Sequence, residues 1–323
     1  MIYNQWYIVL DSKELKKNKP LKIKRFNENL VIWRNDDREI SCILDRCCHR
    51  GASLSCGKIH EGEIECPFHG FLYDKTGKVT LIPANGKNAK VPETMKVKSF
   101  EAYEDFGYIW LWYGDKERIS TKPFYFNELR DFSYSGFKDN WAIHYSRAIE
   151  NQLDVVHLPF VHKTTIGRGN KTLVNGPVVI REDDLITFYV NNMVDDGKTK
   201  PLKPVEIKNY KDFFYLQFHF PNVWQNFISD KIRVSAAFVP VDEENSIVYI
   251  RFYQRFIKIP IIKHLINYLG KISNIIILRQ DKRIVITQLP KKSEVKMDER
   301  LIMGDKPIIE YRKHREELIE KAK

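Results

Sequence analysis

All five cysteines of this chain, Cys42, Cys47, Cys48, Cys56 and Cys66, fall between positions 42 and 66, and the rest of its 323 residues contain none. Such clustering needs a local cause. A disulfide framework suits a short secreted chain, yet the N-terminus MIYNQWYIVLDSKELKK lacks the cationic start, apolar core and small-residue cleavage site of a signal peptide. The protein is therefore expected in the cytoplasm, where clustered Cys and His point to metal.

The length suggests two domains, and a hydrophobic content of 43% is enough to build a core in each. From Trp6 to about Tyr113 short apolar runs alternate with turn signals. NLVIWRNDDREISCIL is two runs around Asn35-Asp36-Asp37, and GYIWLWYGD is a third, so this half reads as all-β. Lys116 to Asp131 is charged, contains Pro123 and has no period, which places the junction there. Asn140 to Leu158 has no internal Pro or Gly and is expected to be a helix ended by Pro159. Strands return in TFYVNNMV, FFYLQFHF, RVSAAFVPV and SIVYIRFYQRF, followed by a helix from about Ile272 to Gln288 and a final surface helix in KPIIEYRKHREELIEKAK. The apolar stretch Ile259 to Leu278 is interrupted by Lys263, His264 and Lys271, so it reads as buried or amphipathic structure and no membrane span is expected.

The formal net charge of +11 is compatible with nucleic acid, an anionic membrane or an acidic protein partner. Lysines are spread along the whole chain, and a solvated Lys-rich surface explains the charge equally well.

The cysteine stretch contains Cys47-Cys48-His49-Arg50-Gly51, then, after a hairpin-like interval, Cys66-Pro67-Phe68-His69-Gly70. Each loop offers one thiolate and one imidazole. Such a set could hold zinc tetrahedrally, or an iron–sulfur cluster in which two His replace two Cys on one iron. The loop sequences resemble the Rieske signature, C-x-H-R-G followed by C-P-x-H-G, over about 110 residues around it. That resemblance implies a two-iron two-sulfur (2Fe-2S) cluster with Cys47 and Cys66 on one iron and His49 and His69 on the other. Cys48 stands where the family commonly has Pro. Cys42, Cys56 and His60 lie outside the motif and read as structural or incidental.

A second constellation follows. Asn151, Asp154 and His157 are spaced by threes, which on a helix makes a slowly drifting stripe on one face, and Pro159 would let His162 turn back toward it. Taken alone, two His and an Asp on an apolar helix are more often satisfied core polar groups than ligands. The pattern N-x-x-D-x-x-H-x-x-x-x-H resembles the mononuclear iron motif of the Rieske non-haem iron oxygenases, and it follows a Rieske motif as in that family. A site of two His and one carboxylate leaves positions open on Fe(II). The resemblance draws the carboxylate from a late helix, where Gln280-Asp281-Lys282-Arg283-Ile284-Val285-Ile286-Thr287-Gln288 fits, with Asp281 as third ligand and Gln280 in place of the frequent acidic neighbour. Asp230, Asp242, Glu243 and Glu244 compete for that role but read as turn residues. Asp154 would then orient His157 and bridge to a neighbouring subunit's Rieske histidine, with Asn151 near the iron.

The resemblance, to the alpha-subunit type of the monooxygenase and demethylase branch, implies an α+β protein. A Rieske domain in residues 1–116 precedes a helix-grip (START-like) catalytic domain in 117–323, with a curved antiparallel sheet and long C-terminal helices. It further implies a homotrimer, electrons from NAD(P)H through a reductase or ferredoxin, dioxygen as co-substrate, and a small organic substrate that is hydroxylated or demethylated, or alternatively cis-dihydroxylated. Trp224, Phe227 and Phe218 are candidates to line the pocket. Two rivals stand beside it. A Rieske electron carrier with a ligand pocket would not need Asn151, Asp154, His157, His162 and Asp281 together, and a zinc protein binding nucleic acid would be colourless.

Overall fold

A computed structural model describes every residue from 1 to 323 except 36 and 120, so Asp36 of the expected turn lies outside the described residues. The chain forms two compact units, essentially Tyr3–Pro123 and Phe124–Lys323.

The first unit is built from eleven strands: β1 (Gln5–Asp11), β2 (Leu21–Arg25), β3 (Glu28–Arg34), β4 (Ile40–Leu44), β5 (Lys58–His60), β6 (Glu63–Glu65), β7 (Leu72–Tyr73), β8 (Val79–Leu81), β9 (Ser99–Phe100), β10 (Ala102–Asp105) and β11 (Tyr108–Tyr113). They make three antiparallel sheets ordered β1-β11-β10, β2-β3-β4-β9 and β5-β6-β7-β8. The expected runs become β3, β4 and β11, whose apolar residues are almost wholly buried. A core of Val31, Trp33, Ile43, Leu54, Ile64 and Tyr73 closes beneath the small third sheet, and Cys47 and Cys66 belong to it.

The second unit is organised by one seven-stranded antiparallel sheet. Its strands are β12 (Ser133–Trp141), β13 (Leu173–Glu182), β14 (Leu185–Met193), β15 (Phe214–His219), β16 (Val223–Ser229), β17 (Ile232–Pro240) and β18 (Ser246–Gln254), in the order β12-β18-β17-β16-β15-β14-β13. Between β12 and β13 lie α1 (Tyr145–Leu153) and the short α2 (Leu158–Val161), and after the sheet come α3 (Pro260–Val285) and α4 (Lys306–Lys321). The α3 helix packs on β12 and β18, α1 on β17 and β18, and α4 on β13 and β14. The α+β expectation, with a large antiparallel sheet and C-terminal helices, holds. Asp230 and Asp242 to Glu244 do lie in the turns flanking β17.

Several local readings are corrected. Trp141 is in a strand, because β12 pairs along its whole length with β18, Trp141 facing Ser246. The helix begins at Tyr145, where the His144 side chain accepts from the Ser146 N–H, and ends at Leu153. It ends there because Asp154 Oδ1 accepts from the backbone N–H groups of Val156 at 2.6 Å and His157 at 3.2 Å, offering the chain an alternative to another helical turn. Pro159 does not stop that helix; it sits in the first turn of α2, where its missing N–H costs nothing. The late helix starts at Pro260, earlier than Ile272. Finally, α4 is not merely a surface helix: Ile308, Tyr311, Arg312, His314 and Arg315 are buried. The sequence pattern misreads it because its buried charges are paired, Arg312 with Glu150 and Glu299.

Candidate metal centres

The two Cys-His loops of the first unit are built alike. In one, the Cys47 N–H donates to Ala52 O and the Gly51 N–H to Cys47 O; in the other, the Cys66 N–H donates to Phe71 O and the Gly70 N–H to Cys66 O. Gly51 and Gly70 take positive φ, +77° and +72°, which is why each loop ends in glycine. Asp45 anchors the first loop by accepting from the Ser53 and Ser55 hydroxyls and the Ser55 N–H.

This scaffold buries Cys47 and Cys66 and leaves the imidazoles nearer the surface. The rings of His49 and His69 lie 4.7 Å apart at 66°, and His49 stacks on Phe71 at 5.0 Å. Burial, together with the neighbouring Cys47, pushes the Cys66 thiol up, against the pull of the Phe68 and His69 N–H groups aimed at its sulfur. Paired buried thiols, backbone donors and two adjacent imidazoles are a donor set that a Cys₂His₂ cluster would complete. Tyr73, which the motif does not reveal, joins it: its hydroxyl lies 3.0 Å from Cys47 Sγ and 3.3 Å from Cys48 Sγ, and accepts from the Cys48 N–H at 3.0 Å. Beside the first loop is a cavity of about 430 Å³ whose lining includes His49, Arg46, Arg50, Lys96 and Lys98.

In the second unit the ligand atoms of His157, His162 and Asp281 lie within 4.8 Å of one another. His157 is the residue before α2, His162 the residue after it, and Asp281 is in the last turns of α3, so a four-residue helix spaces the two imidazoles against one carboxylate. His162 Nε2 is 2.9 Å from Asp281 Oδ1, His157 Nε2 is 3.5 Å from the same oxygen, and the rings are 5.1 Å apart. Among the described residues, buried Asp281 Oδ1 makes no hydrogen bond and neither does His157 Nδ1. A buried carboxylate oxygen faced by two imidazole nitrogens fits a divalent cation.

The outer contacts orient these groups. His162 Nδ1 lies 2.8 Å from Gln280 Oε1, which also accepts from the Thr165 hydroxyl, while Gln280 Nε2 donates to Thr164 Oγ1. An acceptor-only oxygen at Nδ1 favours a proton there, which leaves Nε2 as the nitrogen that would meet a metal. Asp154 Oδ2 is 3.6 Å from His157 Nδ1, an ion-pair distance rather than a hydrogen bond. Burial opposes the Asp154 charge, but His157 and the backbone donors outweigh it and hold the carboxyl below its usual range. Asn151, on α1, has a buried Nδ2 without a partner among the described residues. Of the three aromatic candidates, Phe218 is core, packed edge-on to Tyr311 of α4, and Phe227 stacks on Tyr215 beneath Arg233. Trp224, opposite Phe218 in the sheet, is buried.

A Rieske-type cluster loop pair followed by a sheet domain with a His-His-Asp triad defines a protein with two iron centres, and the comparisons agree. Residues 5–101 match the Rieske 2Fe-2S domain and residues 141–321 the vanillate O-demethylase oxygenase C-terminal domain. The chain belongs to the Rieske non-haem iron oxygenases, as an alpha subunit of the monooxygenase and demethylase branch. It is 31% identical over 197 residues to the vanillate O-demethylase oxygenase subunit of a Pseudomonas species, covering 59% of this chain and 54% of that protein. It is 32% identical over 168 residues to the chloroplastic protein TIC 55 of Pisum sativum, covering 50% of this chain and 30% of that one. The chain thus spans about half, or less, of the length of these relatives. Over its whole fold it is similar to NdmA of Pseudomonas putida CBB5, with a TM-score of 0.80 and 26% identity, covering 98% of this chain and 90% of that one. It shares the fold of dicamba monooxygenase, with a TM-score of 0.73 and 19% identity, covering 99% and 98%. The family's cofactors are a Rieske cluster and a mononuclear iron.

Proposed function

We propose that this chain is the terminal oxygenase of an electron-transfer system that hydroxylates or demethylates a small organic molecule. Residues 1–116 act as the cluster domain and 117–323 as the catalytic domain. Cys47, His49, Cys66 and His69 hold the cluster; His157, His162 and Asp281 hold Fe(II). The observation that carries the reading is the convergence of those last three side chains in a chain that also has both Cys-His loops, since a carrier of electrons alone has no use for the second site.

When bound, the two iron groups supply one-electron transfer and dioxygen activation. The chain's own side chains do the rest. Gln280 favours the His162 tautomer in which Nε2 would face the cation, and the Asp154 carboxylate, 3.6 Å from His157 Nδ1, favours a proton on that nitrogen by its charge. Asp281 supplies negative charge from a dry position, and with two neutral imidazoles the set leaves part of a cation's coordination sphere open. Asn151, whose buried Nδ2 has no partner among the described residues, is assigned by the family resemblance to a place near the iron rather than on it. Arg46, Arg50, Lys96 and Lys98 around the first loop receive an acidic ferredoxin or a reductase fed by NAD(P)H. Head-to-tail assembly as a homotrimer, with Asp154 bridging to the next subunit's cluster, and a cytoplasmic location belong to the same reading.

Single-turnover oxidation by pre-reduced, iron-loaded protein, run with labelled dioxygen against methylated and hydroxylatable compounds, tests it. Label in a hydroxylated or demethylated product supports the reading; label in none across a broad panel favours an electron carrier.

A further inference from the structure

The outer face of α3 is apolar where solvent reaches it. Ile261, Leu265, Tyr268, Ile272 and Ile276 recur every three or four residues and so share one stripe over four turns, with Ile262 and Leu269 beside it. Ile261 is 83% exposed, Leu265 55% and Leu269 53%. Solitary surface leucines need no explanation, but a contiguous stripe of this length does.

The opposite face is fully engaged. Asn267, Leu278, Asp281 and Val285 are buried, the Ser135 hydroxyl donates to Asn267 O, and Gly270 lets the helix backbone close on the Phe252 ring. A helix fastened to the sheet along one side cannot cross a bilayer, although by length and composition α3 could. It can only lie on one.

Charge identifies the surface it fits. Between Glu244 and Asp281 the sequence contains no acidic residue. Exposed Arg255 and Lys258 precede the helix, and the face that carries the stripe continues beyond Ile276 into exposed Arg279 and Arg283. An apolar stripe bracketed at both ends by cations, without an anion among them, complements a sheet of acyl chains capped by anionic headgroups. A second copy of the same face would set these cations against one another.

We propose that α3 is an interfacial helix by which the protein docks on anionic lipid, its stripe lying at the headgroup boundary in the plane of the membrane. This rests on α3 alone and is independent of the iron chemistry.

The test is flotation of the intact holoprotein with vesicles of phosphatidylcholine and phosphatidylglycerol, three parts to one, against phosphatidylcholine alone. The wild type is expected to float with the anionic vesicles and to release as salt is raised. The variant I261S/L265S/L269S is expected to bind about tenfold more weakly or worse, with unchanged Tm and cluster absorbance, because more than half of each of these side chains already faces solvent in the free protein. Failure of the wild type to float with either vesicle would overturn the proposal, as would a folded variant that floats equally well. So would a wild type that ignores vesicles while the variant alone loses its oligomeric state by light scattering, which would make the stripe a contact between copies. Should the variant lose Tm, L265S alone is compared in the same way.

Discussion

Gln280 Oε1 lies 2.8 Å from His162 Nδ1, so the residue next to Asp281, the proposed third iron ligand, orients His162, the proposed second. The amide replaces an acidic neighbour without losing the acceptor. Gln280→Leu is expected to weaken Fe(II) binding by about 10- to 100-fold while leaving the cluster spectrum unchanged, and Gln280→Glu to restore most of the affinity. Iron retention after gel filtration against a graded chelator measures both.

With Cys47 as the proposed cluster thiolate, its Sγ accepts from the Tyr73 hydroxyl 3.0 Å away, and donors to cluster sulfurs stabilise the reduced, more negative state. Tyr73→Phe should therefore lower the reduction potential, by no more than the worth of a hydrogen bond to a charged group, about 1.5–3 kcal/mol. Redox titration followed by visible absorbance reads it; an unchanged potential would remove Tyr73 from the site.

Glu150 is buried between two guanidiniums, with Arg312 Nε at 2.7 Å and Arg147 Nη1 at 3.1 Å, and it ties α1 to α4. Its removal leaves two buried cations with one carboxylate between them among the described residues, the partly exposed Glu299. Glu150→Ala is expected to cost about 3–5 kcal/mol, the range for breaking a buried ion pair, and Glu299→Ala less. Denaturant melts compare the two.

His314 on α4 meets Asp184 at 2.8 Å and Glu317 at 2.9 Å, and although burial lowers its pKa, these two carboxylates outweigh burial and raise it. Asp184 is lowered, chiefly by its hydrogen bond to His314. The His314 contribution is fully present below the unfolded value of about 6.5 and disappears as pH rises through the raised folded value. The Asp184 contribution is present above about 3.9 and disappears as pH falls through its lowered folded value. The Tm difference between wild type and His314→Gln should accordingly be larger at pH 5.5 than at pH 9, and an equal difference would contradict the pairing.

The cations near the first Cys-His loop predict that reduction by an acidic ferredoxin slows as salt shortens the screening length, about 10 Å at 0.1 M. Stopped-flow rates that ignore ionic strength would exclude steering by Arg46, Arg50, Lys96 and Lys98.

The cluster loops were legible because everything they need is local: two short segments, each ending in a glycine with positive φ. The backbone around Asp154 was not. A stripe of Asn151, Asp154 and His157 presumes one continuous helix, and only the Asp154 side chain, capturing two backbone donors, reveals the break that puts His157 and His162 at either end of α2. Trp141 reads as helical because its strand partner, Ser246, is over a hundred residues away. Tyr73 looks like any core tyrosine until Cys47 folds over it. The apolar N-terminal half of α3 was masked by Lys263, His264 and Lys271, whose spacing breaks the run in sequence while the stripe persists on the helix.

Two separate iron sites in one polypeptide are the central claim, and metal stoichiometry tests it most directly. Anaerobically prepared wild type should contain about three iron atoms per chain and acid-labile sulfide for one two-iron cluster, whereas Asp281→Ala should lose about one iron and no sulfide. Zinc without sulfide in the wild type, or an Asp281→Ala variant that keeps all its iron, would contradict it.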